Sequence, residues 1–352
     1  MPEPLLQISE LNVAFDTARG EVRPVRDVSL SIYPGQTVAV VGESGCGKSV
    51  TAMSILRLIP SPPSKVLSGS IRFQGRDLLS LSEKEMQSVR GKEIAMIFQE
   101  PMTSLNPVYS IGDQIAEAVV LHQNVGSREA MRIAEQSLRD VGIADPHRRM
   151  REYPHEMSGG MRQRIMIAMA LSCKPKLLIA DEPTTALDVT IQAQILELLR
   201  KIQRQTGMAI MLITHDLGVV AENADVVNVM YASRIVESAT VEDLFDRPKH
   251  PYTQGLFRSI PKLGTTAKRL DTITGTVPNP AKFPAGCKFH PRCDKMNGDP
   301  ICATVEPLLR EIAPGHWASC HHVENFANSP VTLPQLQHKR EDMVPLATEV
   351  KA

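Results

Sequence analysis

The fold of this 352-residue chain is decided by one stretch, Gly42-Glu43-Ser44-Gly45-Cys46-Gly47-Lys48-Ser49. It fits the pattern G-x-x-x-x-G-K-[ST] and stands between a predicted strand over 38–41 and a predicted helix over 50–59. Glycines at these spacings let backbone N–H groups close around phosphate oxygens. Lys48 would neutralise the β- and γ-phosphates, and Ser49 would offer its hydroxyl to Mg²⁺. Cys46 fills a variable position and is interpreted as a small tolerated residue. The stretch predicts a nucleotide site in an α/β fold of the P-loop type.

Two adjacent carboxylates, Asp181 and Glu182, follow the apolar run Leu177-Leu178-Ile179-Ala180. Such a run predicts a parallel strand buried on both faces, and open α/β sheets bind ligands at the carboxyl ends of their strands. Asp181 suits Mg²⁺ coordination, directly or through water, and Glu182 suits the base that polarises an attacking water. The alternative is an ordinary acidic strand terminus, which fits less well beside a P-loop.

Gln99 and His215 each follow another predicted strand. Gln99 could reach Mg²⁺ and the attacking water, and His215 could donate a hydrogen bond to the γ-phosphate. A lone glutamine carries almost no information, and a lone histidine is more often structural. Both assignments therefore depend on the motifs around them.

A second phosphate cradle is predicted in the stretch Met157-Ser158-Gly159-Gly160-Met161-Arg162-Gln163-Arg164. A serine and two glycines open a long helix there, and a helix N-terminus presents free N–H groups and the positive end of its dipole. One nucleotide hardly needs two separated cradles from the same chain. We therefore expect the second cradle to serve a nucleotide held by a partner subunit.

The bulk composition argues against several classes of protein. Acidic and basic residues balance at 39 each, so the chain lacks the electrostatic footprint of a dedicated nucleic-acid binder. Apolar runs such as 209–213 are far shorter than the ~20 residues of a membrane span. The N-terminus Met1-Pro2-Glu3-Pro4 does not resemble a secretory signal. We expect a cytoplasmic protein that, if it works at a membrane, is held there by other chains.

The pattern of apolar residues changes along the chain. Alternating strands are predicted over about 5–40, and helical periodicity follows between about 108 and 172, as in Ile111, Ile115, Val119 and then Met131, Ala134, Leu138, Val141. After about 240 proline becomes frequent, which predicts a small loop-rich module. We therefore predict an ATPase domain over 1–240 with a helical subdomain over about 100–175, an extension over 241–325 and a flexible tail over 326–352.

Four of the six cysteines cluster near the C-terminus, at Cys287, Cys293, Cys302 and Cys320. In a reducing compartment such a cluster argues for metal or cluster ligation over disulfides. The spacing lacks the C-x₂-C pairs typical of structural zinc. Four thiolates suit either tetrahedral zinc or a [4Fe–4S] cluster, and nearby histidines could substitute as ligands.

Taken together, these motifs resemble the ATP-binding subunits of ABC transporters, and the resemblance covers about 5–240 in the expected order. It implies an ABC-type nucleotide-binding domain that hydrolyses ATP with Mg²⁺. It also implies roles for these positions: Walker A Gly42–Ser49 followed by Val50, A-loop Phe15, Q-loop Gln99, signature Ser158-Gly159-Gly160 with Gln163, Walker B Asp181, catalytic Glu182, D-loop Asp188 and switch His215. Met157 replaces the commoner leucine before the signature serine, which conserves volume.

A narrower resemblance is carried by three further segments: Glu100-Pro101-Met102-Thr103-Ser104-Leu105-Asn106-Pro107, His250-Pro251-Tyr252-Thr253 and Gly286-Cys287-Lys288-Phe289-His290-Pro291-Arg292-Cys293. These are similar to the dipeptide, oligopeptide and nickel importer family. The resemblance implies a second ATPase subunit, identical or different, two transmembrane permease subunits, an external substrate-binding protein and a place on the cytoplasmic face of the membrane. It also favours a [4Fe–4S] cluster over zinc or plain thiols at the four cysteines.

Two other functions are weighed against the importer. Soluble relatives of this ATPase act in DNA repair or translation, but they usually carry long coiled coils or two fused ATPase domains, which this chain lacks. A non-hydrolysing regulatory subunit would not need Lys48, Asp181, Glu182 and His215 together. Peptides are the expected substrate, with nickel, glutathione or another small solute as alternatives.

Overall fold

The computed structural model describes residues 3–18, 20–99, 104–185, 187–259, 272–296 and 298–323. The predicted flexible tail and the first four residues of the segment over 100–107 lie outside the described residues. The strands are β1 Leu6–Thr17, β2 Gly20–Ile32, β3 Thr37–Val41, β4 Ser64–Phe73, β5 Arg76–Asp77, β6 Ile94–Ile97, β7 Leu177–Asp181, β8 Ala209–Thr214, β9 Val226–Tyr231, β10 Arg234–Thr240, β11 Arg310–Ala313 and β12 His316–Ala318.

Along the sequence, most of the α-helices connect strands of the core sheet. They are α1 Lys48–Ile55, α2 Glu83–Val89, α3 Ile111–Gln123, α4 Ser127–Asp140, α5 Pro146–Arg149, α6 Gly159–Leu171, α7 Val189–Thr206, α8 Leu217–Asn223, α9 Val241–Asp246, α10 Pro251–Arg258 and α11 Pro300–Thr304. Short 3₁₀ turns occur at Pro154–Glu156, Pro280–Lys282 and His290–Arg292.

The strands form two sheets in the described part of the chain. The core sheet has the order β11-β12-β10-β9-β3-β8-β7-β6. Its strands β9, β3, β8, β7 and β6 run parallel, whereas β10, β12 and β11 continue it antiparallel. The second sheet is antiparallel, in the order β2-β1-β4-β5. The predicted α/β fold is confirmed.

Each face of the core sheet is covered by a different layer. Strand β7 shows this directly: Leu177 and Ile179 enter a cluster shared with the antiparallel sheet, whereas Leu178 and Ala180 enter a cluster shared with the helices. Side chains alternate along a strand, so both sets must be apolar. The uninterrupted apolar run at 177–180 therefore follows from burial on both sides.

The helical layer is built on α3, α4 and α6, which pack on the second cluster. Ser110 caps α3 by accepting the N–H of Asp113 at 3.2 Å, and Gly207 ends α7 in the left-handed conformation at φ 70°. On α4 the buried stripe contains Ala130, Ala134 and Leu138, whereas Met131 is 39% exposed. The prediction began this buried stripe at Met131 instead of Ala130. Both residues fit a helical stripe, because Ala134 follows one by three positions and the other by four.

The extension is joined to the core sheet by strand pairing. Strand β12 pairs with β10, and β11 pairs with β12, so a C-terminal hairpin widens the core sheet. Tyr252 and Phe289 pack in the same apolar cluster as β3 and β9. The extension therefore shares a hydrophobic core with the first 240 residues, and the domain boundary near 240 stays a prediction.

Candidate functional site

The register of the parallel strands brings four loops to one edge of the core sheet. Val41 on β3 lies beside Thr214 on β8, Asp181 on β7 lies beside Ile213, and Ile97 on β6 lies beside Ala180. The loops that follow these strands carry the P-loop, Glu182, His215 and Gln99. The carboxyl edge of the sheet thus collects residues that are up to 173 positions apart, from 42 to 215.

The P-loop closes tightly at two glycines with positive φ. A Cβ atom at Gly42 (φ 153°) would lie 2.2 Å from the carbonyl oxygen of Met230, and one at Gly47 (φ 107°) would lie 2.1 Å from that of Pro24. Only glycine fits such positions. The loop is therefore pressed between β9 and β2.

Lys48 is buried at the start of α1, and its ammonium donates to the carbonyl oxygens of Gly42 at 2.7 Å and Glu43 at 3.1 Å. Both acceptors belong to the loop itself. Cys46 is also buried, and its Sγ lies 3.9 Å from the Lys48 ammonium; burial raises the pKa of this thiol. The Lys48 ammonium is thus desolvated and held where phosphate oxygens would replace its two carbonyl partners.

Asp181 is suited to bind a cation. The residue is 5% exposed, and its Oδ1 has no hydrogen-bond partner. Burial raises the pKa of Asp181, while a hydrogen bond from Ser49 opposes that shift. A buried carboxylate oxygen without a partner is costly unless a ligand completes it. Asp181 and Ser49 therefore fit the oxygen ligands that Mg²⁺ takes at nucleotide sites.

Glu182 is held at the centre of the edge by three side chains. Its Oε2 accepts from Gln99 Nε2 at 3.0 Å and from Thr185 Oγ1 at 2.9 Å, and its Oε1 lies 3.4 Å from His215 Nδ1. The residue has a φ of 46°, which is unusual for a residue with a side chain and recurs at functional sites. The structure therefore brings together Gln99, Glu182 and His215, which the sequence predicted separately. Thr185 is a further contact of this group.

The predicted second cradle lies at the exposed N-terminus of α6. Ser158 caps the helix by accepting the N–H of Met161 at 3.4 Å, so its hydroxyl stands over the first turn. A Cβ atom at Gly160 would lie 3.0 Å from the side chain of Ile191, on the first turn of α7. Asp188 caps α7 by accepting the N–H of Ile191 at 2.9 Å. The segment at 158–160 and the loop at Asp188 are thus packed against each other.

Gln163 is buried, apart from the exposed Ser158 with which the sequence grouped it. Its side chain is only 2% exposed, and its amide donates to the carbonyl oxygen of Pro183 in the same chain. A residue one turn into α6 turns away from Ser158 because the helix advances about 100° per residue. In this structure Gln163 ties the signature helix to the residue after Glu182 and is not open to a ligand.

Models of known protein families match two parts of the chain. Residues 25–185 match the ABC transporter family, and residues 236–302 match the oligopeptide/dipeptide transporter C-terminal region. The dipeptide transport ATP-binding protein DppD of Bacillus subtilis is 51% identical over 318 residues, which is 90% of this chain and 94% of that protein. The oligopeptide transport ATP-binding protein AppD of the same organism is 50% identical over 316 residues, or 90% of this chain and 96% of that protein.

This chain belongs to the ABC transporter ATP-binding proteins that carry the oligopeptide/dipeptide C-terminal region. It is an ABC-type ATPase.

Solved structures agree on the fold of this ABC ATPase. The protein cbiO1 from Clostridium perfringens, part of the ABC transporter complex cbiONQ, has a TM-score of 0.60 at 26% identity and covers 70% of this chain and 92% of its own. A dimeric ATP-binding cassette bound to ADP and phosphate has a TM-score of 0.61 at 23% identity, covering 67% of this chain and 98% of that one.

Phe15 is placed on β1 beside Val22 of β2, partly buried against the core. Val22 is two residues from Pro24, whose carbonyl oxygen faces Gly47. The antiparallel sheet therefore lies against the P-loop near Phe15, and its role as the adenine-stacking residue stays a prediction.

The predicted four-cysteine metal site of this ATPase is not supported. Among the described residues, which include all four cysteines, no group of three or more His, Cys, Asp or Glu side chains is placed to hold a metal ion. Burial raises the pKa of the Cys287 thiol to about 11 and also raises the pKa of Cys293, Cys302 and Cys320. The four cysteines are free thiols in this structure, and a metal centre at them stays a prediction.

Three contacts of the site were missed by the sequence analysis: Thr185 on Glu182, and Arg292 and Tyr252 on Glu43. Thr185 could have been found, since it follows Glu182 by three residues. Arg292 lies 249 positions from Glu43 and Tyr252 lies 209 positions away, so no local pattern connects them. None of the helices in the part of the chain that the structure describes combines the length and apolar character needed for a membrane span.

Proposed function

We propose that this ABC ATPase hydrolyses ATP to drive the import of di- and oligopeptides through a membrane permease. The observation that carries the proposal is the environment of Glu182. Its carboxylate is held by Gln99, Thr185 and His215 at the same sheet edge as Lys48 and Asp181. A positioned carboxylate beside a phosphate cradle is what hydrolysis of a phosphoanhydride requires.

In the hydrolytic step, water attacks the γ-phosphorus in line and the bond to the oxygen of the ADP leaving group breaks. Glu182 orients this water through its carboxylate and takes up the proton that the water loses. The Lys48 ammonium and the P-loop N–H groups stabilise the charge on the phosphate oxygens. His215, 67% exposed beside Glu182, is free to face the γ-phosphate. Mg²⁺ held at Ser49, Asp181 and Gln99 would neutralise phosphate charge.

A second ATPase subunit, identical or different, completes the site from outside. Ser158 and Gly159 are exposed at the N-terminus of a 13-residue helix, and that helix offers an anion site. We infer that ATP on one subunit is covered by Ser158 and Gly160 of the other in a head-to-tail pair. The start of α7, which Asp188 caps, packs against this segment through Ile191, so Asp188 would then lie at the subunit interface. Hydrolysis would weaken the contact and let the subunits part.

The permease would dock on the helical layer. Beside the core sheet lies an apolar cavity of about 280 Å³, lined by residues such as Leu58, Phe98, Met166 and Met169. Close to it on the chain, Val108 is 73% exposed and Leu121 is 71% exposed. Exposed apolar surface of this kind marks interaction sites. We place the protein on the cytoplasmic face of the membrane, bound to two permease subunits that receive substrate from an external binding protein.

The peptide assignment is supported by the match of residues 236–302 and by relatives named for dipeptide and oligopeptide transport. It is tested by uptake of labelled di- and oligopeptides in cells that lack the gene, complemented with wild type or with Glu182→Gln. Only wild type should restore uptake. Restored uptake of nickel or glutathione without peptides would replace the substrate class, and sedimentation with ribosomes or DNA would overturn the importer.

Ser158→Asn tests the composite site. Asparagine also caps a helix, so α6 should keep its start, with a change of at most about 0.5 kcal/mol in the free energy of unfolding. The isolated chain should bind ATP as wild type does, since its own P-loop is intact. In the assembled transporter, hydrolysis should fall by about tenfold or more, because an oxyanion contact is lost.

Lys48→Ala is the matched comparison, since it should abolish ATP binding by the isolated chain as well. Nucleotide binding is measured by titration with a fluorescent ATP analogue, and hydrolysis by phosphate release. Loss of ATP binding by isolated Ser158→Asn, to the same degree as Lys48→Ala, would show that the serine acts on its own subunit's nucleotide.

A further inference from the structure

We propose that Arg292 of the C-terminal extension is a positioning residue for ATP, acting through Glu43 of the P-loop. The proposal rests on ATP binding at the P-loop, and it assigns to the extension a part in the ATPase site of its own chain.

The guanidinium of Arg292 donates two hydrogen bonds to the Glu43 carboxylate. Nη1 donates to Oε2 at 2.7 Å and Nη2 donates to Oε1 at 3.0 Å. The Arg292 side chain is 4% exposed, whereas the Glu43 side chain is 30% exposed. A bidentate pair fixes both the distance and the plane of the carboxylate, unlike a single contact. Glu43 is thus the partner whose orientation is imposed, because Arg292 is the more deeply buried of the two.

Arg292 is itself immobilised by other groups. Its Nε donates to the carbonyl oxygen of Thr274 at 3.0 Å, its Nη1 donates to the Tyr231 hydroxyl at 3.5 Å, and its guanidinium lies 5.8 Å from the centre of the Tyr231 ring. The 3₁₀ turn His290–Arg292 places the residue between Cys287 and Cys293. The Arg292 guanidinium is therefore already oriented by Thr274 and Tyr231. Little side-chain entropy is lost when it pairs with Glu43.

A second residue of the extension holds the backbone at the same position. The N–H of Glu43 donates to the hydroxyl of Tyr252 at 2.9 Å. Tyr252 is fully buried, and its ring packs on Tyr231 at 4.6 Å and on Phe289 at 5.5 Å between centroids. The backbone and side chain of one P-loop residue are thus both fixed from outside the loop, by residues 209 and 249 positions further along the chain.

The charge of Glu43 explains why its pairing with Arg292 should affect the affinity for ATP. A carboxylate in a phosphate-binding loop repels the polyphosphate that the loop must accept. Arg292 compensates this charge, and its two hydrogen bonds stop the Glu43 carboxylate from rotating freely. Without Arg292, an uncompensated Glu43 would remain in the loop, so nucleotide affinity should fall while the hydrolytic residues stay in place.

The test measures the Kd for a fluorescent ATP analogue on the full chain, and KM and kcat for ATP in the assembled transporter. Arg292→Met should raise Kd and KM by about tenfold and change kcat by less than about twofold. Arg292→Lys keeps the charge but loses the fork, and should raise Kd by about threefold. The Glu43→Gln/Arg292→Met double variant should regain most of the lost affinity, because the uncompensated charge is gone.

Glu306→Gln provides the matched control. Glu306 joins the extension to the rest of the chain through Arg26 at 3.0 Å and Arg234 at 3.3 Å. This substitution should loosen the docking of the extension and leave Kd for the analogue unchanged.

Equal losses of affinity in Arg292→Met and Glu306→Gln would overturn the proposal, because they would point to general loosening. So would strictly additive effects in the double variant. If Arg292→Met does not fold, an unchanged Kd in Arg292→Lys overturns it. Failure of wild type to hydrolyse ATP would instead refute the proposed function, so the two failures are distinguishable.

Discussion

Two buried carboxylates of this protein, Asp181 at the nucleotide edge and Glu237 beneath the extension, are satisfied to different degrees. Asp181 is 5% exposed, and one of its oxygens has no hydrogen-bond partner. Glu237 is fully buried and is approached by three nitrogens: the N–H groups of Lys249 at 2.7 Å and His250 at 2.8 Å, and His316 Nε2 at 2.7 Å. The first carboxylate is incomplete without a ligand, and the second is complete within the chain.

This difference separates function from stability. Unpaired polar groups in the native state cost free energy and persist where a ligand completes them. Fully paired buried groups hold elements together and are costly to break. Substitutions at the nucleotide edge should therefore change turnover with little change in unfolding, and substitutions beneath the extension should do the reverse.

The largest expected effect is on turnover in Glu182→Gln. An amide cannot take the proton of the attacking water, so hydrolysis should fall by about a thousandfold, equivalent to about 4 kcal/mol in the activation barrier. ATP binding and thermal unfolding should stay close to wild type. Phosphate release at saturating ATP and a melting curve measure the two quantities. Glu197→Gln on the exposed face of α7 is the control and should change neither. Hydrolysis at the wild-type rate would show that Glu182 is not the base.

The next largest effect is on unfolding in Glu237→Ala. Removing the carboxylate leaves the N–H groups of Lys249 and His250 and the His316 ring without their shared partner, so the free energy of unfolding should fall by about 3 kcal/mol. Urea denaturation followed by circular dichroism measures this. Glu129→Gln breaks an exposed pair with Arg132 on α4 and should cost less than about 0.5 kcal/mol. Equal losses in the two variants would remove the distinction between complete and surface carboxylates.

A smaller effect on the free energy of unfolding is expected when the pH is lowered, and it arises at His250, beneath the extension. Burial lowers the pKa of His250 to about 4 from an ordinary 6.5, and its neutral Nδ1 accepts the N–H of Tyr252 at 3.1 Å at the start of α10. Between these two pH values the unfolded chain binds a proton that the folded chain does not. The free energy of unfolding should therefore fall as the pH drops from about 6.5 to about 4, by about 2 kcal/mol.

His250→Asn removes this titration and keeps a side-chain acceptor for the Tyr252 N–H. Its urea midpoint should show a shallower slope against pH than wild type over the same range. Parallel slopes for wild type and variant would assign the acid sensitivity to other groups.

The nucleotide edge could be predicted from the sequence because its information is local. A strand, a glycine loop and a helix follow one another around Lys48, and the apolar run before Asp181 shows where a buried parallel strand ends. Parallel strands then bring their carboxyl ends together whatever their distance along the chain. Gln99, Glu182 and His215 were found by this rule, and the structure shows them in contact.

The placement of the extension could not be predicted, because its contacts are distant and its strands are short. Strands β11 and β12 span four and three residues, too few for an alternating pattern to show. The Arg292 pair with Glu43 joins segments that share no local pattern. The inward turn of Gln163 was also missed, since periodicity alone did not show which face of α6 meets Pro183.

The C-terminal hairpin has a further consequence for handling the protein. Strand β10 pairs with β9 on one side and with β12 on the other, over Glu237 and Ser238. The family match ends at residue 302, before the hairpin begins at Arg310. A chain cut at that point would leave β10 as an exposed edge with unpaired N–H and C=O groups, which is a template for aggregation. The hairpin thus covers the edge of β10 at Glu237 and Ser238, which would otherwise be open to another strand.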